Sequence, residues 1–210
     1  MFSWTRLAAT MCLALIAGCG EDFVQALDAE PREPRPPQTQ ANSETYKMGD
    51  CLFRIYVPAP SAFEAHGDAG NYYMKHPYVD GGSFRAICLD RSDSQNIADW
   101  LGARKVNGEW LKFTDVNGVD ESFYFWPEEH AEIVQLRGIN WEGIAIVVDD
   151  VTGEKSSRNR WFNFCLMHDA QAFCGTASIM TLGFPETNVQ AKVITAIKTI
   201  EFVDAPVQGN

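Results

Sequence analysis

The sequence predicts an α+β domain: an antiparallel sheet of about eight or nine strands, with two helices covering its inner face and two disulfides. Three observations predict this class. Apolar residues alternate with polar ones in most strand-like segments, only two segments have helical spacing, and short turn signals separate the segments. The chain has 210 residues, of which 46% are hydrophobic and 21% charged, as is usual for a globular protein.

The first predicted strands lie before residue 90. Segment 51–57 alternates, so that its apolar side chains share one face and Arg54 lies on the other. Segments 71–75 and 83–89 continue the sheet, and Gly81-Gly82 marks the turn between them.

An amphipathic helix is predicted from Ser94 to Gly102. Asp93 or Ser94 can cap its start, and Gly102 can end it. Three large apolar residues fall at i, i+3 and i+4: Ile97, Trp100 and Leu101.

The later part of the chain is mostly strand. A second helix is predicted to open near Asn188, after Pro185, and Ile200 and Phe202 to end in a last strand. Asn117-Gly118 is the clearest turn signal. Six further strands are expected at 109–115, 121–126, 132–138, 141–149, 160–168 and 171–180.

The first 18 residues have the layout of a secretory signal. Arg6 precedes an apolar run that is too short to span a bilayer, and small residues close the segment. The end of this segment and the cysteine after it, Leu15-Ile16-Ala17-Gly18-Cys19, resemble the lipobox of bacterial lipoproteins. The resemblance implies that Cys19 is acylated, with palmitate among its acyl chains, and that the protein faces the periplasm. Gly20 in place of aspartate favours the outer over the inner membrane. The alternative is an ordinary signal peptide with an incidental cysteine.

The remaining chain divides into three segments. Residues 19–45 are expected to form a Pro-rich acidic spacer, residues 46–205 a single α+β domain, and residues 206–210 a loose tail. The net charge of -11 argues against nucleic-acid binding, which requires a basic face.

Four cysteines remain once Cys12 leaves with the signal and Cys19 is acylated. In an oxidising compartment four cysteines predict two disulfides. A turn at Asp169-Ala170 would place Cys165 opposite Cys174 as a non-hydrogen-bonded pair, the antiparallel pair whose Cα atoms lie closest together. That separation lies within the range of a disulfide. By elimination, Cys51 is expected to pair with Cys88. Four free thiols are the alternative.

No motif for catalysis, a metal or a cofactor is visible in the sequence. The four histidines lack metal-ligand spacing, no Cys-x-x-Cys occurs, and no nucleophile elbow or nucleotide-binding glycine pattern is found. We therefore expect a non-enzymatic protein without catalytic residues, metal or cofactor.

Acidic and aromatic residues are concentrated between residues 106 and 150. That segment has ten acidic residues against Lys112 and Arg137. Acidic side chains can steer a basic partner, and aromatic ones can anchor it. The partner-binding candidates are Asp120, Glu121, Trp126, Glu128, Glu129 and Glu132. Alternatively, the aromatics face the core and the acids only keep the protein soluble.

One further resemblance bears on function. The run Cys51-x-x-Arg54-Ile55-x-Val57-Pro58 is similar to the opening of some lipoprotein immunity proteins that accompany type VI secretion effectors. It implies a lipid-anchored protein that binds and blocks a secreted toxin. An envelope-assembly or structural accessory lipoprotein and an envelope hydrolase are the alternative classes.

Overall fold

The computed structural model describes residues 43–57, 61–73, 83–116 and 119–204, with the backbone alone at residues 43, 114–116 and 119–122. The predicted signal, Cys19, most of the predicted spacer and the tail at 206–210 lie outside this range. Within it, no helix is long and apolar enough to cross a membrane.

Thirteen strands and two helices make up the described part of the chain. Three single 3₁₀ turns complete the regular structure, at Pro127–Glu129, Lys155–Ser157 and Pro185–Thr187. The longer elements are β1 (Ser43–Met48), β2 (Cys51–Tyr56), β3 (Ala62–His66), β4 (Ala69–Tyr73), β5 (Phe84–Asp90), α1 (Ser94–Leu101), β6 (Ala103–Val106), β7 (Glu109–Val116), β8 (Val119–Phe123), β9 (Glu132–Arg137), β10 (Glu142–Asp149), β11 (Asn159–His168), β12 (Gln171–Thr181), α2 (Gln190–Lys198) and β13 (Glu201–Phe202).

The strands form three antiparallel sheets. A central sheet of seven strands has the order β3-β4-β5-β12-β11-β10-β9. Sheet A has the order β1-β2-β13, and sheet C has the order β6-β7-β8. The prediction of antiparallel sheet with two helices is confirmed, whereas the count of eight or nine strands in one sheet is wrong.

The central sheet is covered on both faces, so the expectation that both helices cover one inner face needs correction. Phe164 and Leu166 belong to a core that includes sheet A and α2, and Cys165 between them belongs to a second core with α1 and sheet C. Because successive strand residues point to opposite faces, these two cores lie on opposite sides of the sheet.

Helix α1 begins and ends where the sequence predicts. The Asp93 side chain accepts a hydrogen bond from the backbone N–H of Asn96. Gly102 adopts φ +64°, and its N–H donates to carbonyls of the last turn.

Both predicted disulfides are present. Cys165 lies opposite Cys174 in the hairpin of β11 and β12, with Cα atoms 4.0 Å apart. Cys51 is bonded to Cys88, with Cα atoms 5.8 Å apart, and so joins sheet A to the central sheet.

Three strands were not predicted. β1 starts inside the expected spacer, and its sequence is mostly polar; it is an edge strand of sheet A. β3 is a short edge strand of the central sheet. Only Gly102 separates β6 from the end of α1. The strand expected at 121–126 is displaced to Val119–Phe123, because Pro127 opens a 3₁₀ turn that ends strand pairing.

Candidate functional site

The segment 124–131 connects sheet C to β9, the edge strand of the central sheet, and we call it the connecting loop. Trp126 is extended, Pro127 starts the 3₁₀ turn, and His130 leaves it with φ +41°. Proline fits the first position of such a turn because its fixed φ is close to helical and its missing N–H is not needed there.

Glu129 is the first anchor of the connecting loop. Its side chain is only 4% exposed, and both of its carboxylate oxygens accept hydrogen bonds. One carboxylate oxygen accepts from Lys112 Nζ at 2.5 Å, and the other from the backbone N–H of Trp126 at 2.8 Å. The Lys112 ammonium also lies 4.8 Å from the centre of the Trp126 ring, a cation–π contact. Glu129 thus fixes the loop to sheet C.

Asp149 provides the second anchor. Its carboxylate is 6% exposed and accepts two hydrogen bonds from Arg160, at 2.5 and 2.8 Å. They form a bidentate ion pair between neighbouring strands. His130 Nδ1 lies 3.0 Å from the same carboxylate. Asp149 therefore fixes the connecting loop to the end of the central sheet.

The charge state of Asp149 follows from its surroundings. Burial raises the pKa of its carboxyl, but the hydrogen bonds and positive charge of Arg160, together with His130, outweigh burial and hold the pKa below its ordinary value. The hydrogen bond to Asp149 in turn raises the pKa of Arg160. The pair is therefore ionised at neutral pH.

Four large aromatic side chains are exposed at or beside the connecting loop. The exposed fractions are 72% for Tyr124, 58% for Trp126, 43% for Phe123 and 36% for Trp161. Trp126 and Trp161 line one cavity of about 550 Å³, with Phe125 and Val151 among the other lining residues. We call Phe123, Tyr124, Trp126 and Trp161 the aromatic face. Exposed aromatic side chains are typical of interaction sites.

Acidic residues lie in the connecting loop, directly after it and at the cavity. Glu128 and Glu132 are exposed, and Asp150 lines the cavity while accepting a hydrogen bond from the backbone N–H of Thr152. The cations Lys112 and Arg160 are paired with Glu129 and Asp149. The exposed charge on the connecting loop and at the start of β9 is therefore negative.

The predicted site residues fall into three groups. Trp126, Glu128 and Glu132 are exposed as a binding role requires. Glu129 is buried and holds the loop, so its carboxylate is not accessible to a partner. Asp120 and Glu121 lie in β8, and their side chains are outside the described part.

Trp161 was not predicted as part of the site. It lies in β11, opposite Val148 of β10, and only that strand register brings it to the cavity that Trp126 lines. An alternating apolar pattern marks a strand but does not show which distant segment shares its face.

Aliphatic, aromatic and carboxylate side chains make up most of the cavity lining. Thr152 is the only hydroxyl side chain among its described lining residues. His130 and Asp149 lie at the separation of a base and its orienting carboxylate, and Arg160 bonds both oxygens of the same carboxylate. The two ion pairs hold the connecting loop, in which Tyr124 and Trp126 are exposed.

No protein-family model matches the chain, and no curated protein is similar enough to it to be a relative. The resemblance to immunity lipoproteins therefore stays a prediction based on residues 51–58, of which Pro58 lies outside the described residues. The arrangement of the connecting loop and the aromatic face is the stronger basis for a functional argument.

Proposed function

We propose that the protein is a membrane-anchored periplasmic lipoprotein that binds another protein, without catalysis, through the aromatic face. The observation that supports this most is the exposure of Phe123, Tyr124, Trp126 and Trp161 in or beside a loop held by two ion pairs whose carboxylates are buried. Aromatic side chains supply most of the binding free energy in many interfaces. A loop that is already ordered loses less entropy on binding than a mobile one.

The partner we propose has a basic surface. Glu128 belongs to the connecting loop, Glu132 starts the strand that follows it, and Asp150 lines the cavity. Segment 106–150 as a whole carries a net charge of -8 (2 basic and 10 acidic residues). Complementary charge raises the rate of encounter and selects among partners more than it adds affinity.

The proposed lipid anchor would place partner binding at the membrane surface. Acylation at Cys19 would hold the domain at the membrane surface, and the Pro-rich spacer would give it reach. A secreted toxin that arrives in the periplasm is the partner implied by the resemblance to immunity lipoproteins, which makes the protein an inhibitor. A resident envelope component as partner would instead indicate an assembly role.

Site-specific photo-crosslinking tests the proposed face. A photoreactive phenylalanine analogue replaces Tyr124 in one variant and Tyr56 in a matched control. Tyr56 is also exposed, at 39%, but lies in sheet A on the other side of the central sheet. Both variants are expressed with the full signal and spacer and irradiated in intact cells, with and without the neighbouring secreted effector if the genome encodes one.

The expected result is one discrete crosslinked protein from position 124 and none of that mass from position 56. The crosslink should weaken when Glu128 and Glu132 are both changed to lysine, because that reverses the charge that attracts a basic partner. Equal crosslinking from both positions would overturn the aromatic face as the site. A partner with an acidic surface would overturn the electrostatic part of the proposal.

A further inference from the structure

Three potential metal ligands converge at the end of the β11–β12 hairpin, away from the aromatic face. His168 ends β11, Asp169 follows it in the turn, and Asp204 lies two residues beyond β13. The Nε2 atom of His168 lies 3.7 Å from a carboxylate oxygen of Asp169 and 3.5 Å from one of Asp204. These three ligand atoms all lie within 4.8 Å of one another.

The imidazole of His168 is held in place from outside this group. Its Nδ1 lies 2.8 Å from the carbonyl oxygen of Asn140, and because a carbonyl can only accept, Nδ1 must carry a proton. The ring stacks on Phe202 with centroids 4.9 Å apart, and the side chain is 15% exposed. A histidine ligand is commonly oriented in this way, by a hydrogen bond from its other ring nitrogen.

With Nδ1 donating to Asn140, Nε2 is the ring nitrogen that faces the two carboxylates. Its distances to them, 3.5 and 3.7 Å, are longer than the usual N–H···O hydrogen bond of about 2.7–3.2 Å. Two ligands of one tetrahedral ion, each about 2.1 Å from it, lie about 3.4 Å apart. The observed separations are close to that value.

We propose that His168, Asp169 and Asp204 form a binding site for a divalent transition-metal ion, with Zn²⁺ as the best match. One imidazole nitrogen and two carboxylate oxygens suit Zn²⁺, and water can complete the coordination. Asp169 and Asp204 are 82% and 87% exposed, so the ion can enter from solvent.

The ion would join two parts of the fold. His168 and Asp169 belong to the central hairpin, whereas Asp204 follows the two-residue strand β13 at the end of sheet A. Val203 N–H donates to Leu52, and Asn140 bonds both backbone groups of Phe202, so this segment is already held beside the hairpin. A shared metal ion would fix the chain where it leaves the domain. This proposal is independent of partner binding by the aromatic face.

Calorimetric titration of Zn²⁺ into the full mature chain, stripped with a chelator, tests the site. The variants are His168→Gln, Asp204→Asn and, as a matched control, His66→Gln. His66 also lies near a carboxylate, Glu64 at 3.9 Å, but both side chains are well exposed, at 77% and 57%. The double variant Asp169→Asn with Asp204→Asn leaves His168 and its contacts with Asn140 and Phe202 in place.

We expect one Zn²⁺ per chain and a rise in melting temperature on binding. Loss of an outer partner of a metal ligand weakens binding about 10–100-fold, so loss of a ligand itself should weaken it at least as much. His168→Gln and the double variant should therefore weaken binding at least about 10–100-fold, while His66→Gln leaves it unchanged. Absence of saturable binding by the unaltered chain, or undiminished binding by the double variant, would overturn the proposal. Circular dichroism of each variant verifies that it is folded.

Discussion

Asp149 shows how a single buried charge holds a surface loop in place. The same carboxylate forms an ion pair with Arg160 of the neighbouring strand and contacts the His130 ring of the connecting loop. Removing its charge leaves Arg160 without its partner in a largely buried position, which is more costly than losing a surface ion pair.

We expect Asp149→Asn to lower the free energy of unfolding by about 2–3 kcal/mol at pH 7. The folded-state pKa of Asp149 is depressed, so its stabilisation is complete above the unfolded value of about 3.9 and is lost as the pH falls through the folded pKa. The difference between the two proteins should therefore shrink below about pH 4. Urea denaturation from pH 7 to pH 3 measures it.

Asp150→Asn is the matched control for this change. Asp150 Oδ1 accepts from the backbone N–H of Thr152, and an asparagine at this position keeps that acceptor. We expect a change within about 0.5 kcal/mol for this variant. A constant difference between Asp149→Asn and the unaltered protein across the whole pH range would contradict the assigned charge state.

At the scale of elements, the connecting loop depends on Glu129 and not on its neighbour Glu128. Replacing Glu129 by alanine removes the acceptor of both Lys112 and the Trp126 N–H, which should destabilise the protein by about 1–3 kcal/mol. Hydrogen exchange in peptides that cover 123–131 should become faster. Glu128→Ala removes an exposed side chain and should change neither quantity; equal effects of the two variants would refute the anchor.

The two disulfides connect different parts of the structure: one joins two sheets, and the other joins two strands of one hairpin. Cys51–Cys88 closes 37 residues and joins two sheets, whereas Cys165–Cys174 closes 9 residues within one hairpin. The loss of chain entropy on cross-linking predicts about 4 kcal/mol for the first and about 2.5 kcal/mol for the second. Replacing each pair by two alanines should preserve that order in urea denaturation. A larger loss from the hairpin pair would contradict it.

Local signals predicted the elements better than their arrangement. The Asp93 cap, the Gly102 terminus and the register of Cys165 with Cys174 follow from residues near one another in sequence, so they were predictable. The division into three sheets depends on which distant strands pair, and an alternating pattern does not encode that. The polar β1 carries almost no pattern.

The candidate site was predictable to a similar degree. Trp126 and Glu128 lie in an acidic aromatic segment that is visible in the sequence. Trp161 joins them only through the pairing of β10 with β11. His168 and Asp204 are far apart in sequence and meet because β13 returns beside the central hairpin. Burial of Glu129 has no local signal, since its exposed neighbour Glu128 is the same residue type.

For the whole molecule, the lipid anchor determines where the domain works. If Cys19 is acylated, Cys19→Ser should abolish labelling by a palmitate analogue and leave an unprocessed or soluble precursor. The spacer separates the anchor from the domain, so the melting temperature of the described domain should be unchanged. Cys12→Ser, within the signal, is the control and should be labelled normally. Undiminished labelling of Cys19→Ser would remove the lipoprotein interpretation.

Partner binding through the aromatic face is tested most directly by the affinity of the crosslinked partner for Trp126→Ala. The Trp126 backbone still bonds Glu129 in this variant, so the loop should keep its conformation. Truncating an interface aromatic typically costs about 2 kcal/mol or more, so the dissociation constant should rise about 30-fold. Tyr56→Ala should bind as the unaltered protein does. Equal affinity of Trp126→Ala and the unaltered protein would contradict the proposed function.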